Sequence, residues 1–255
     1  MNSNYISFIT LYLKEVRRFI KIPLQTILAP AATSLLFLII FTTAIGTARN
    51  EYPLSEFKTF VLPGLIMMTI IQNSFMNSSS SLLSSKEQGN IVDLLMPPLS
   101  NLQIVLAFTL AGITRGLTVA IASGLMMAPF VEIEFYNLVL ILYFAIFASA
   151  ILSLIGFISG IWAEKWEYLE AVTNFIIVPL SFLSGTFYSI RILPEFIQDI
   201  NLFNPFFYMI DGFRYGFIGS SDTSLLMSCS IILMCFIALS FISYIILKSG
   251  YKLRS

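Results

Sequence analysis

The apolar stretch Asn137–Trp162, NLVLILYFAIFASAILSLIGFISGIW, contains no charged residue. About 20 helical residues cross the roughly 30 Å of hydrocarbon in a bilayer, so this stretch is long enough to span a membrane. It lacks the polar–apolar alternation of barrel strands, and a bilayer offers no water to unpaired backbone groups. The stretch therefore predicts a transmembrane helix.

Similar apolar stretches recur on both sides of it. They lie near Leu24–Ile45, Thr59–Met76, Ile104–Phe130, Ala171–Phe187 and Leu225–Leu247. The first is predicted to be a retained span, because its apolar run exceeds the roughly 7–15 residues of a signal-peptide core. The sequence thus predicts an all-α polytopic membrane protein with six transmembrane helices, forming one membrane domain over residues 1–255.

The overall composition agrees with this fold class. Hydrophobic residues make up 57% of the chain and charged residues 11%, whereas soluble domains carry about a quarter charged residues. The net charge of zero argues against a nucleic-acid partner, and the absence of histidine argues against histidine-based catalysis or metal binding. Cys229 and Cys235 lie in an apolar run and are interpreted as apolar filler, not as metal or disulfide partners.

The sequence contains no nucleotide-binding or catalytic motif. The phosphate loop GxxxxGK[ST], the nucleophile elbow GxSxG and the zinc motif HExxH are all absent. We therefore predict no catalytic residue, no metal site, no bound cofactor and no enzyme activity in this chain.

The distribution of lysine and arginine predicts the orientation. One side of the predicted spans has nine of these residues and the other has four. The first set is Lys14, Arg17, Arg18, Lys21, Lys86, Lys165, Lys248, Lys252 and Arg254, and the second is Arg49, Lys58, Arg191 and Arg214. The positive-inside rule places the larger set, and with it both termini, in the cytoplasm.

Residues 1–23 predict an amphipathic helix ahead of the first span. Its apolar residues recur at spacings of three and four, which places them on one face: Ile6, Ile9, Leu13, Val16 and Ile20. Such a helix is suited to the cytoplasmic headgroup layer. The alternative is a cytosolic lead-in without a special role.

Residues 77–103, NSSSSLLSSKEQGNIVDLLMPPLSNLQ, are predicted to form a cytoplasmic loop. Ser84 or Ser85 is a candidate cap for a short helix near Lys86–Leu95, which Pro97-Pro98 would end. Exposed charges and apolar side chains on that helix would suit docking to a partner.

Residues 188–224 form an unusually aromatic segment on the opposite side. Pro194 and Asn204-Pro205 divide it into two short helical pieces, near Glu195–Asn201 and Phe206–Ile218. We expect these pieces to rest at the interface or to dip into the outer half of the membrane. Asp211 and Arg214 are three residues apart, and this spacing predicts that they pair.

Arg115 lies near the middle of the third predicted span, where an unsheltered charge costs several kcal/mol. Its predicted partner is a carboxylate, Glu167 or Glu170, or a set of backbone carbonyls. It would line a substrate path or brace a subunit contact. The alternative is that it extends toward an interface with no function of its own.

Small residues mark one face of the fourth span. Ser149, Ser153, Gly156 and Gly160 follow one another at spacings of four, three and four. This pattern permits close helix packing, either within the chain or between two copies of it.

Two regions resemble the type-2 family of ATP-binding-cassette (ABC) export permeases. The run Lys86-Glu87-Gln88-Gly89-Asn90-Ile91-Val92-Asp93-Leu94 with its later Pro97-Pro98 stop resembles the family pattern R-E-x-G-T, two residues, then E-x-L. Lys86, Asn90 and Asp93 replace its Arg, Thr and Glu. The run Pro179-Leu180-Ser181-Phe182-Leu183-Ser184-Gly185 resembles the family segment P-x-x-F-x-S-G, although Ser189 stands where many members have proline. The match extends over nearly the whole chain and is nearest to a bacterial branch of small permeases.

The resemblance implies a dimeric permease of the bacterial inner membrane that exports an amphiphile such as a drug, a lipid-linked molecule or a polysaccharide. A separate ATPase, which binds ATP and Mg²⁺, would dock on the cytoplasmic coupling helix and rock the spans between two states. The residues implied in coupling are Lys86, Glu87, Gln88, Gly89, Asn90, Asp93 and Leu94. Those implied in the external gate are Ser184, Gly185, Pro194, Asn204, Pro205, Asp211 and Arg214.

Two other functions fit a polytopic chain. A stand-alone secondary transporter or channel would need acidic residues inside its spans for ion coupling, whereas the acidic residues here cluster at predicted ends and loops. A structural or assembly protein would make the coupling-like loop dispensable.

Overall fold

The computed structural model describes residues 3–46, 54–92 and 96–252, and every regular element in these ranges is helical. Ten α-helices lie wholly within them, and Ile91 and Val92 are also helical. The ten are α1 (Ser3–Ile20), α2 (Ala29–Gly46), α3 (Leu54–Glu87), α4 (Asn101–Met127), α5 (Leu138–Trp162), α6 (Trp166–Val172), α7 (Val178–Leu183), α8 (Glu195–Leu202), α9 (Pro205–Ile218) and α10 (Leu225–Ser249). Two π-helical segments, Leu24–Leu28 and Thr173–Ile177, precede α2 and α7, and a 3₁₀ turn, Ile190–Ile192, precedes α8.

Five helices in the described ranges are long and apolar enough to cross a membrane. They are Leu24–Ala44, Glu56–Glu87, Asn101–Met127, Leu138–Trp162 and Leu225–Ser249. These match the first, second, third, fourth and sixth predicted spans. The fifth prediction, Ala171–Phe187, is instead a series of short segments, α6, the π segment and α7, that ends at Leu183. The six-span layout is therefore not confirmed at this segment.

Prolines account for both π segments. One residue separates each π segment from a proline, which is Pro30 in the first case and Pro179 in the second. Neither proline has an amide hydrogen to donate. A proline ring in a helix also clashes with the carbonyl four residues earlier. The wider turn avoids this clash: the amides of Ala29 and Val178 donate to carbonyls five residues back, at Leu24 and Thr173.

Polar caps fix where two of the spanning helices begin. Before α4, Ser100 Oγ accepts from the Gln103 amide at 3.3 Å, while Gln103 Oε1 accepts from the Ser100 amide at 2.9 Å. This reciprocal pair is a capping box. Before α5, Asn137 Oδ1 accepts from the Leu140 amide at 3.2 Å. Each cap satisfies amides that have no partner within the helix.

α3 is the main difference from the sequence prediction. It is 34 residues long and continues through the serine-rich segment as far as Glu87, so residues 77–87 are helical and Ser84 and Ser85 do not cap a new helix. The serine hydroxyls bond back along the helix, for example Ser79 Oγ to the Phe75 carbonyl at 2.9 Å and Ser80 Oγ to the Met76 carbonyl at 2.6 Å. Serine is therefore tolerated here because its hydroxyl is satisfied inside the helix.

The small residues of α5 pack against α3 within the chain. Ser153 Oγ lies 2.6 Å from Ser78 Oγ. A Cβ added to Gly156 would collide with the Phe75 carbonyl, and one added to Gly160 would lie 2.9 Å from the Ser79 carbonyl oxygen. The stripe thus serves intramolecular packing, and α3 with α4, α5 and α9 forms the core of the molecule.

Candidate functional site

The C-terminal end of α3 is attached to two other helices by the first residues of the predicted coupling segment. Lys86 Nζ donates to the carbonyls of Ile161, at 2.7 Å, and Ala163, at 2.6 Å. Trp166 Nε1 donates to Glu87 Oε2 at 2.6 Å. Lys86 therefore ties α3 to the end of α5, and Glu87 ties it to the start of α6.

An exposed turn follows this attachment. Gln88, Gly89 and Asn90 are exposed, and Gly89 has a positive φ of 71° with open space where a side chain would be. Glycine adopts this left-handed conformation without strain. Asp93 and Leu94, which the sequence also places in the coupling segment, lie outside the described residues.

α1 faces the protein with a different side from the one its apolar pattern suggests. Its buried residues are Leu11, Glu15 and Phe19, whereas Ile6 is 49% exposed and Ile20 is 53% exposed. The predicted apolar stripe therefore points away from the protein, toward the region where lipid would lie. The side that faces the protein is held by a buried polar contact.

This polar contact is an ion pair between Glu15 and Arg18, which also bonds to the serine-rich part of α3. Glu15 is fully buried; it accepts from Ser81 Oγ at 2.8 Å and pairs with Arg18 Nε at 3.3 Å. Arg18 also donates to Ser80 Oγ at 3.0 Å and to the backbone carbonyl of Asn77 at 2.5 Å. The serine-rich segment thus supplies the polar partners of Glu15 and Arg18, whereas α1 packs mainly against α4, where the Tyr12 hydroxyl lies 2.9 Å from Thr114 Oγ1.

A cavity of about 590 Å³, which we term the inner cavity, lies beside this ion pair. It is bounded by the end of α1, both π segments, α2, α3 and one side chain of α4. Its lining residues are Arg18, Ile22, Gln25, Thr26, Ala29, Pro30, Thr33, Ser34, Phe37, Leu65, Met68, Thr69, Gln72, Asn73, Phe75, Met76, Ser80, Arg115, Trp166 and Thr173.

Arg115 reaches this cavity from α4 and has no carboxylate partner in the described part of the chain. Only 7% of it is exposed, and its Nη2 donates to Asn73 Oδ1 at 3.2 Å. The prediction that Glu167 or Glu170 is its partner is wrong, because both are exposed and none of the ion pairs in the described ranges includes Arg115. Backbone carbonyls do not replace them: the amide oxygen of Asn73 is its hydrogen-bond acceptor.

Asp211 and Arg214 do not pair either, because each has nearer partners in other segments of the chain. Asp211 accepts from the amides of Asp222, at 2.8 Å, and Thr223, at 3.1 Å, and so holds the turn before α10. Burial raises the pKa of the Asp211 carboxyl, while these hydrogen bonds act to lower it.

Arg214 joins three segments at the other end of the molecule. It donates to the carbonyls of Gly185, at 2.5 Å, and Phe60, at 3.3 Å, and its guanidinium lies 3.9 Å above the centre of the Phe60 ring. The fork geometry of arginine suits several carbonyl acceptors at once. α9 is thereby fastened to the start of α3 and to the turn after α7.

Asn204 fastens the same turn from its other side. Its Nδ2 donates to Ser184 Oγ at 2.7 Å, and its Oδ1 caps α9 through the Phe206 amide at 3.1 Å, with Pro205 as the first residue of that helix. Ser184, Gly185, Asn204 and Arg214 therefore form one connected group. Pro194 stands apart from it, at the start of α8.

Asp222 is a site residue that the sequence reasoning missed. It accepts from Ser189 Oγ at 2.8 Å and from the Ile190 amide at 3.0 Å, and it pairs with Arg191 at 3.3 Å. The signal for it is the run Ser220-Ser221-Asp222-Thr223, because such short polar residues often hold turns through their side chains.

Comparison with known proteins gives the same family from two directions. The ABC-2 type transporter family matches residues 6–218. The "Inner membrane transport permease YadH" of Escherichia coli strain K12 is 32% identical over 255 residues, which is 100% of both chains, and the protein of the same name from Shigella flexneri matches equally. The "Probable multidrug ABC transporter permease YbhR" of E. coli K12 is 28% identical over 170 residues, 64% of this chain and 45% of that relative.

The resemblance seen in the coupling and gate motifs is thus confirmed over most of the chain by the family match and over its full length by the first of these relatives. The chain belongs to the ABC-2 type transporter family, as a membrane permease subunit.

Proposed function

We propose that this chain is the permease of an exporter that a separate ATPase drives, moving an amphiphile outward across the bacterial inner membrane. The observation that carries the proposal is the pair of ties at the end of α3, where Lys86 and Glu87 fasten an exposed turn to α5 and α6. A partner that moves this turn would move three helices together. The partner would bind ATP and Mg²⁺.

α3 provides a path from the docking turn to the outer segment. At 1.5 Å per residue, its 34 residues extend over roughly 50 Å. One end carries Lys86 and Glu87, and the other carries Phe60, which Arg214 contacts. Displacement of the cytoplasmic end would therefore reach the gate group of Ser184, Gly185, Asn204 and Arg214, as rigid-body switching requires.

Exposed apolar surface supports insertion in the membrane, and the distribution of lysine and arginine is the ground for proposing both termini in the cytoplasm. In the most apolar stretch of the first candidate span only 22% of the residues are buried, and in that of the last candidate span only 11% are buried. These faces would contact lipid and, on the α2 side, a second copy of the chain. A homodimer would place two inner cavities near one another.

A stand-alone secondary transporter is less well supported. The five candidate spans contain acidic residues only at the two ends of one of them, Glu56 and Glu87. Ion or proton coupling through the membrane requires acidic groups along the path.

Co-purification from membranes with the ATPase encoded beside the permease tests the docking. Gln88→Lys combined with Asn90→Lys places two cations on the exposed turn and should abolish binding. The control, Glu195→Gln combined with Asp199→Asn, changes the net charge by the same amount on exposed residues of α8. It should bind as wild type does. Equal binding by both double variants would refute the docking assignment.

A further inference from the structure

The inner cavity has positive charge and no acidic lining residue. Arg18 and Arg115 are its only charged lining residues. Glu15, which does not line the cavity, pairs with Arg18. Arg115 is therefore a cation without a counterion among the described residues.

The burial of Arg115 makes this an energetic problem. Its hydrogen bond at 3.2 Å goes to the neutral amide oxygen of Asn73, and its Nε is buried without an acceptor. A buried donor of this kind costs about 1–3 kcal/mol, and more when the group is charged. A bound anion would supply the missing charge.

The rest of the lining suits a molecule with an apolar tail. Along α3, the lining ends in two apolar side chains, Met68 and Leu65, and the rest of it alternates between polar and apolar residues: Thr69, Gln72, Asn73, Phe75, Met76 and Ser80. Phe37 of α2 faces the same apolar end. Binding sites of this size usually combine apolar walls with a few polar groups that fix orientation.

We propose, building on the exporter function, that the inner cavity binds an amphiphile with an anionic head, with Arg115 as the counterion of that head. The phosphate or carboxylate lies between Arg115, Arg18 and Asn73. The tail lies along Met68, Leu65 and Phe37.

A second cavity, at the other end of α3, carries the opposite charge. It measures about 540 Å³, lies beside Phe60, and among the described residues is lined by Glu56, Glu132 and Glu134 with no lysine or arginine. The anionic head would bind more weakly here than in the inner cavity, because these carboxylates repel it.

The test uses the purified full-length permease in neutral detergent, without the ATPase. The chain has two tryptophans, Trp162 and Trp166, and Trp166 lines the inner cavity. In a Trp162→Phe background, titration with dodecyl phosphate should change the Trp166 fluorescence saturably. Dodecyltrimethylammonium, which has the same tail and opposite charge, should not do so, and inorganic phosphate should bind at least about tenfold more weakly because it lacks the tail.

Four variants locate the site. Arg115→Gln should weaken binding of dodecyl phosphate by about tenfold or more, whereas Arg115→Lys should keep much of it. Asn73→Asp supplies an internal counterion and should raise the melting temperature while abolishing binding. Lys14→Gln removes an exposed cation of α1 and should bind as the parent does.

The melting temperature and size-exclusion profile establish folding for each variant. Should Arg115→Gln fail to fold, Asn73→Asp still decides the matter. Undiminished binding by the folded variants would overturn the proposal, as would equal binding of the cationic probe. Equal affinity for inorganic phosphate would overturn the amphiphile assignment. Loss of ATPase co-purification leaves this binding unaffected, so failure of the exporter function is seen separately.

Discussion

Glu15 and Glu164 show how differently two ion pairs contribute in this chain. Glu15 is fully buried, pairs with Arg18 and accepts from a serine of α3. Glu164 is exposed and pairs with Lys252 at 2.7 Å. Water already solvates an exposed pair, whereas loss of one buried partner leaves the other without compensation.

Glu15→Gln should lower the free energy of unfolding by about 1–3 kcal/mol, because Arg18 loses its partner and remains partly exposed to water. Thermal unfolding of the detergent-solubilised protein, followed by size exclusion, measures the effect. Glu164→Gln is the matched control and should leave the melting temperature unchanged. An equal loss in both variants would show that the location of the pair does not matter.

The charged residues also show the limits of sequence at this scale. Arg115 is recognisable as an unusual charge within an apolar run, but its acceptor, Asn73, lies 42 residues away on another helix. Asp211 and Arg214 have a spacing that permits pairing, yet tertiary partners at Asp222, Gly185 and Phe60 replace it. The spacing of two residues in the sequence determines whether their side chains can reach each other, and the fold determines which acceptor is nearer.

At the level of helices, the glycines of α4 and α5 that face α3 differ in how closely α3 approaches them. A Cβ at Gly156 would collide with the backbone carbonyl of Phe75. One at Gly124 of α4 would lie 3.7 Å from Ile66 Cδ1, an ordinary contact. The same substitution should therefore have opposite effects at the two positions.

Gly156→Ala should destabilise the protein by about 1–3 kcal/mol, because the obstructing atom is backbone and cannot rotate away. Gly124→Ala should be neutral or slightly stabilising, since alanine favours the helix. Melting temperatures of the two variants compare them directly. A tolerated Gly156→Ala would mean that α3 and α5 are less closely packed than described.

Helix type and approximate position were predictable, but helix ends were less so. The predicted span Asn137–Trp162 matches α5 within a residue, and Asn137 caps this helix. The sequence predicts a loop at the serine-rich end of α3, because serine favours turns when its hydroxyl competes with the backbone. Here the hydroxyls bond to α3 itself, to α1 and to Ser153, and none of these partners is evident from the serine run alone.

On the scale of the whole molecule, α3 connects the exposed turn at residues 88–90 to the segment that contains Arg214. Lys86 fastens one end to carbonyls of Ile161 and Ala163, and Arg214 fastens the other. Coupling between two sites requires a physical element that both can shift. Lys86 should therefore matter for transmission of movement and not for ATPase binding.

Lys86→Met should leave co-purification of the ATPase unchanged while lowering the stimulation of ATP hydrolysis by the permease about tenfold, within the usual range of coupling energies. Methionine keeps the length of the side chain but cannot donate to the two carbonyls. Lys248→Met, at the exposed C-terminal end of α10, is the control. Full stimulation in Lys86→Met, measured in proteoliposomes, would contradict a role of this tie in coupling.

The π segments at Leu24–Leu28 and Thr173–Ile177 have a mechanical consequence. Both border the inner cavity, through Gln25 and Thr26 on one wall and Thr173 on the other. Because a proline follows each of them, the regular hydrogen-bond ladder is already interrupted there, and such interruptions are where helices kink. Bending at these points breaks few additional hydrogen bonds, so the two walls formed by the π segments bend more easily than the other walls. The cavity can change its width by flexing at its own boundary while the packed core of α3, α4 and α5 keeps its shape.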